Sequence, residues 1–296
     1  MVKNNVYIDS EHKYAYEEIV FSEWKELRQY FYEGKDSLEL MNYGFRGHAD
    51  SNWPLKPTIE RIRPDKIDPI FNAWYLNAEQ LSIPFYNRAI DLFSDKENLN
   101  IDRSNKLEWL AVMQHYGAAT RLLDISSSPF IASYFALSDV YKLCDIDRKN
   151  KNICIWAFSL EEFDKKNSEL LGIKDGDIYE KTRQIYDHYD FNIVKYDKII
   201  GFSYLEKPIK RSYMQKAGFL FSMDEKSNFE DLLNIYSNNG NICIKKLILK
   251  TEFRNDIAHA LQDLLNMNIS FSALFPGTGI DGYSKDVLLN QFIIHT

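Results

Sequence analysis

The sequence predicts an α+β domain built on a mixed sheet, and three observations lead there. Candidate strands and helices follow one another without regular alternation, which disfavours a doubly wound parallel sheet. The 296 residues are 45% hydrophobic and 27% charged, ample for a large core and too apolar for a mostly disordered chain. No internal repeat, low-complexity tract or Pro/Gly/Ser linker divides the chain. A single domain over 1–296 is therefore expected, with an N-terminal helical extension to about residue 38.

The elements follow in order. Phe21 to Glu33 reads as an amphipathic helix that Ser22 can cap, with Trp24, Leu27 and Phe31 on one face. Met41–Gly47 reads as a short strand entering a turn. Pro54, Pro57 and Pro64 keep the next stretch out of regular helix, and 68–93 reads as helical pieces broken at Pro84. A helix is expected from about Asn105 to Tyr116, with Ser104 at its N-cap and Gly117 ending it. Thr120 to Ile125 reads as a strand. Ser128 before Pro129 is a cap-and-first-turn pair that opens a helix with Ala132, Phe135 and Ala136 inward. Asn152–Leu160 is apolar at alternate and intervening positions, as a strand buried on both faces requires. Further strands are expected at 191–197, 217–223 and 241–249. A helix at about 255–267 then precedes a loop, SFSALFPGTGIDGY.

Composition narrows the function. A net charge of −7 argues against a generally basic, nucleic-acid-binding surface. Two local clusters stand out against it: Lys56, Arg61, Arg63 and Lys66, and Lys207, Lys210, Arg211 and Lys216. Each reads as a solvated stretch or as part of a basic groove. Cys144, Cys154 and Cys243 are far apart and odd in number, which suggests neither a disulfide framework nor a zinc site. His12, His188, His259 and His295 share no ligand spacing, so no metal is assigned. There is no apolar run of about 18 residues and no basic-then-apolar start, so a cytoplasmic protein is expected.

Three stretches carry a specific pattern. The first is Tyr43-Gly-Phe-Arg-Gly-His48, with Trp53-Pro-Leu-Lys-Pro57 and Arg61. The second is Gln114-His-Tyr-Gly-Ala-Ala-Thr-Arg-Leu-Leu-Asp124, running into Ser128-Pro-Phe-Ile-Ala-Ser-Tyr-Phe-Ala136. The third is Arg211-Ser-Tyr-Met-Gln-Lys-Ala-Gly-Phe219, with Leu274-Phe-Pro-Gly-Thr-Gly-Ile-Asp-Gly282. In this order, and from about residue 40 onward, they resemble the FRG domain family, named after the triplet found here as Phe45-Arg46-Gly47. The sequence departs from many relatives at Ala119, where Pro is expected, and at Ile125, where an aromatic is common. The family name describes a motif and no reaction.

The same stretches resemble the ADP-ribosyltransferase superfamily, which implies an ADP-ribosyltransferase-like mixed or antiparallel β core flanked by helices. In such enzymes a strand ending in aromatic-Arg-Gly opens the NAD site. The resemblance therefore places Phe45, Arg46 and Gly47 on the dinucleotide, with the glycine letting backbone approach the ligand. It also matches Asp124-Ile-Ser-Ser-Ser128 and Ala132-Ser-Tyr-Phe-Ala136 to a polar strand end and its following helix. Thr120, Arg121, Ser126 and Ser127 would then hold NAD, and Tyr134 or Phe130 would wall the nicotinamide. The catalytic set implied is Arg46, Asp124 and Gln215. A Glu is usual where Gln215 stands, and a Gln can hold a ribose hydroxyl but supplies no charge; Asp124, Glu206 or the target itself would have to provide the carboxylate.

Structural readings stand beside these. Arg46 can tie a strand end to a carboxylate, Arg121 and Asp124 can form a buried ion pair, and His48 and His115 can cap or pack. Gly277-Thr-Gly-Ile-Asp-Gly282 lacks the spacing of a phosphate cradle and reads as a turn-rich loop. No nucleophile elbow is present. An RNA-cleaving site on His115 and Arg121 would want a second histidine nearby in sequence. The leading expectation is an enzyme that uses NAD as substrate, without a metal, to ADP-ribosylate a macromolecular acceptor (RNA, DNA or protein). Such an enzyme endangers its host, which suggests a toxin restrained by an antitoxin protein or released by phage infection. The alternative is a non-catalytic module that binds a nucleotide or a partner.

Overall fold

The computed structural model describes residues 4–8, 15–32, 42–61, 101–102, 104–138, 140, 151–174, 176–187, 198–204, 210–222, 227–237 and 243–294. The expected helical pieces at 68–93, the strand at 191–197, Cys144, Glu206 and Lys207 lie outside these. Among the described residues eight strands form one sheet: β1 (Asn4–Ile8), β2 (Ala15–Phe21), β3 (Tyr43–His48), β4 (Leu123–Ser126), β5 (Asn152–Ser159), β6 (Ile200–Tyr204), β7 (Ala217–Ser222) and β8 (Ile244–Lys250). Their spatial order is β1-β2-β8-β5-β3-β4-β7-β6. Only β2 and β8 pair in parallel; the other neighbours are antiparallel. The expected α+β class with a mixed sheet is what forms.

β5 runs through the middle, and its alternation sorts the core. Ile153, Ile155 and Ala157 face one apolar cluster, while Cys154, Trp156 and Phe158 face another. The first cluster packs under α1 (Trp24–Tyr32), which presents Trp24, Leu27 and Phe31 as its spacing requires. Two further helices join it: α4 (Pro129–Leu137) and α9 (Arg254–Asn266). The second cluster lies under α5 (Leu160–Leu171) and α8 (Phe229–Ser237), through Leu160, Phe163, Phe229 and Leu232. A third joins α3 (Lys106–His115) and α6 (Ile178–Asp187) to Phe219 and Phe221 of β7.

Several boundaries differ from expectation. Residues 4–21 supply two strands, so the N-terminal region is more than a helical extension, and Phe21 closes β2 instead of opening a helix. The Ser22 backbone N–H donates to Glu26 Oε2 at 2.9 Å, so the acidic side chain caps the serine. Asn105, not Ser104, caps α3: its Oδ1 accepts from the Glu108 N–H at 3.1 Å, while Ser104 turns back to Asp102. The predicted C-terminal loop is instead a short helix, α10 (Phe271–Leu274), and a long one, α11 (Gly279–Ile294). Asp286 joins them by accepting from the backbone N–H groups of Phe271 and Ser272 at 2.8 and 3.1 Å. The small helices α2 (Thr58–Arg61) and α7 (Lys210–Met214) complete the frame.

The Phe-Arg-Gly triplet shows how the sheet meets its helices. Successive side chains of a strand alternate between faces, so Phe45 and Gly47 share one face and Arg46 takes the other. Phe45 is fully buried in the first cluster. At Gly47 the α4 backbone crosses so closely that a Cβ would stand 1.9 Å from the Ala132 carbonyl oxygen. The glycine is required by helix packing, a role the sequence reading did not give it. Ser128 accepts from the Ile131 N–H and Pro129 occupies the first turn, so α4 starts where it can lie on this glycine. Gly47→Ala should force strand and helix apart, costing about 3 kcal/mol or more and lowering Tm by about 6–12 °C in a thermal melt.

Candidate functional site

β3 and β4 pair at a single position, Phe45 opposite Ser126. Past it the strands part, and the opening is a cleft of about 300 Å³. Its floor is Phe45–Gly47, Asp124–Ser126, Ala217 and Phe219. One wall is Ala111, Gln114 and His115 of α3; the other is Ala132 and Phe135 of α4 with Arg211, Ser212 and Gln215.

Arg46 spans the gap between the strands. Its Nη1 donates to the Asp124 carbonyl oxygen at 2.8 Å and its Nε donates to His48 Nε2 at 3.0 Å. Nη1 also stands 3.9 Å from the Asp124 carboxylate, and the Arg46 side chain is only 15% exposed. Burial draws its pKa below the ordinary arginine value, and the Asp124 charge works against that shift. To accept the Nε–H, His48 Nε2 must be unprotonated. Burial, reinforced by the Arg46 charge, pushes the imidazole pKa down to about 3, which keeps it neutral.

The second motif is a hydrogen-bonded chain. The Thr120 hydroxyl donates to Gln114 Oε1, and Gln114 Nε2 donates to Asp124 Oδ1 at 2.6 Å. Asp124 is thus oriented by a neutral amide on one side and a guanidinium on the other, with 57% of its side chain open to solvent. Arg211 lines the cleft from α7, its guanidinium 4.5 Å above the Phe275 ring. Burial lowers its pKa, and the charge of Asp124 raises it. The cleft therefore brings two arginines to one carboxylate, Asp124 being the only acidic residue among those lining it.

Of the residues singled out in the sequence, Phe45, Arg46, Gly47, Asp124, Ser126 and Gln215 meet here; Thr120, Arg121, Ser127 and Tyr134 do not line the cleft. Thr120 is buried behind Gln114. Arg121 is buried and its charge acts on Glu60, whereas Asp124 pairs with Arg46, so the expected Arg121–Asp124 pair is replaced. His115 and Arg121 consequently do not share the cleft. Tyr134 packs in the first core cluster and Phe135, one residue on, forms the aromatic wall. The Ser126 hydroxyl donates to the Gln215 carbonyl at 2.8 Å and accepts from the Ser128 N–H at 3.1 Å, while the Ser127 N–H donates to the Lys216 carbonyl at 3.0 Å. These serines stitch β4 to the turn before β7. Gln215 Nε2 donates to the Leu274 carbonyl at 3.1 Å, which brings the third motif's two halves together. Gln114, Phe135 and Arg211 were missed as site residues, although all three lie inside the quoted motifs. Their spacing marks helix faces but not which face meets the gap.

Residues 41–143 match the FRG domain family, so the chain carries an FRG domain over that stretch. No curated protein and no solved structure matches the chain. The match covers β3, α2, α3, β4 and α4, whereas Arg211, Gln215 and Leu274 complete the site from beyond it.

Because His48 is held neutral, its pKa lies below the unfolded value, and the unfolded chain binds the extra proton between about pH 6.5 and pH 3. Its contribution is complete above pH 6.5 and falls as pH drops. Glu60, buried and raised to about 7, acts in the opposite sense between about pH 4.5 and 7, and does so with or without His48. Relative to His48→Gln, the native protein should therefore lose about 2 kcal/mol between pH 7 and pH 5, measured by urea unfolding.

Proposed function

We propose that the cleft binds NAD and that the chain transfers its ADP-ribosyl group to a macromolecular acceptor. The observation that carries this reading is the convergence of Arg46, Arg211 and Asp124 on one cleft walled by Phe135 and floored by Phe219. Two guanidiniums suit the pyrophosphate anions, and an aromatic wall suits a nicotinamide ring. In the reaction the bond between ribose C1′ and the nicotinamide nitrogen breaks, and nicotinamide leaves as a neutral molecule with the electron pair. A nucleophile on the acceptor bonds to C1′ and gives up its proton to Asp124 or water. The Asp124 carboxylate, oriented by Gln114, faces the positive charge that grows on the ribose, and the Gln215 side chain holds a ribose hydroxyl. The ADP-ribosyltransferase-like form of the fold belongs to the same proposal, as does a toxin or defence role with a restraining antitoxin.

One observation favours the second reading, a nucleotide- or partner-binding module. Gln215 brings no charge, and its amide already bonds the Leu274 carbonyl. The two separate at Asp124, whose exposed side chain can be changed without touching the core. With NAD labelled in its nicotinamide ring, the native protein should release labelled nicotinamide, and Asp124→Asn should do so about 100-fold more slowly while still binding ADP-ribose in calorimetry. Binding of ADP-ribose with no nicotinamide released by the native protein would establish the module instead.

A further inference from the structure

Of the six aromatic side chains that stand exposed among the described residues, three are carried by the motifs around the cleft: Trp53 is 51% exposed, Tyr116 46% and Tyr213 70%. Each belongs to a segment that builds the site. The Trp53 ring lies 6.1 Å from the ring of His48, which holds Arg46. Tyr116 follows the cleft residue His115, with ring centroids 4.9 Å apart. Tyr213 sits on α7 between the cleft residues Ser212 and Gln215.

Beside these aromatics three cations are exposed, against the net −7 of the chain. Lys210 and Lys216 are exposed at the two ends of the α7 turn that carries Tyr213. Arg61 is exposed and close enough for its charge to act on both Arg46 and His48. Exposed aromatics interleaved with cations fit a ligand that alternates flat apolar rings with phosphates. A duplex hides its ring faces in its own stack, and a peptide offers few of them. A single strand offers one per nucleotide.

We infer that the acceptor is a single-stranded nucleic acid, whose bases stack on Trp53, Tyr116 and Tyr213 while Arg61, Lys210 and Lys216 meet its phosphates. This rests on the transferase reading for its role as acceptor, but the binding itself does not. Residues of the cleft hold one substrate, and the residues around it present the strand to that substrate's reacting carbon.

The test is fluorescence anisotropy without NAD, using labelled 15-nucleotide single strands of DNA and of RNA and the corresponding DNA duplex. The native protein should bind at least one single strand about tenfold or more tighter than the duplex. Tyr213→Ala, a change at an exposed side chain, should weaken that binding about tenfold. Lys210→Gln with Lys216→Gln should make the salt dependence shallower by about 1.4 in the slope of log K against log salt. Circular dichroism confirms that each variant is folded. Preference for DNA or for RNA names the acceptor within the class. Absence of single-strand binding by the folded native protein, or binding unchanged in all variants, overturns the inference, as does a separate incubation of the protein with a cell extract and adenylate-labelled NAD in which label enters only the protein fraction. Because the binding assay contains no NAD, failure to release nicotinamide leaves its result standing and removes only the transferase reading.

Discussion

Arg46 holds apart and holds together the two strands on which the site is built. Antiparallel neighbours normally close their gap with a ladder of backbone bonds, and β3 and β4 do so at only one position. The Asp124 carbonyl that the ladder leaves over is taken by the Arg46 guanidinium. A side chain thus stands where a backbone N–H would, and the cleft lies beside it. His48 accepts from the far side of the same guanidinium, so the arginine is gripped along its length. The cleft, the orientation of Asp124 and the approach of α7 all depend on that brace.

The triplet around it divides its labour by strand alternation. Phe45 anchors the sheet to the helices on one face, Gly47 lets α4 lie flat on that face, and Arg46 works on the opposite one. Neither neighbour could change much without moving the guanidinium. A structural and a ligand-binding role for Arg46 are therefore not competitors. The bonds to Asp124 and His48 fix the guanidinium before any ligand arrives, which is what a preorganised anion site needs.

The site is electrostatically unlike the rest of the molecule. An acidic chain concentrates Arg46, Arg61, Arg211, Lys210 and Lys216 in the segments around one opening, and sets a single carboxylate inside it. The Asp124 charge acts on both cleft arginines, opposing the lowering of pKa that burial imposes on each. Arg211 is further steadied by the Phe275 ring, itself packed on Phe271 at 4.3 Å. The C-terminal Leu274-Phe-Pro-Gly segment thus serves as a wall that holds α7 in place.

What the sequence determined by itself was local. Ser128-Pro129 had to start a helix, Trp24, Leu27 and Phe31 had to share a face, and the unbroken apolar run of β5 had to be buried on both sides. These follow from caps, periodicity and hydrophobicity, which act over a few residues. Strands β1, β2 and β6 were not legible, because short strands with polar positions form only once a partner supplies the other half of their hydrogen bonds. The same limit governed the site. The motifs named the segments, but whether Asp124 met Arg121 or Arg46, and whether Tyr134 or Phe135 faced the opening, was decided by how α4 and β4 pack against β3. A turn of about 100° per residue along a helix moves a side chain from cleft to core, and only tertiary packing fixes that angle.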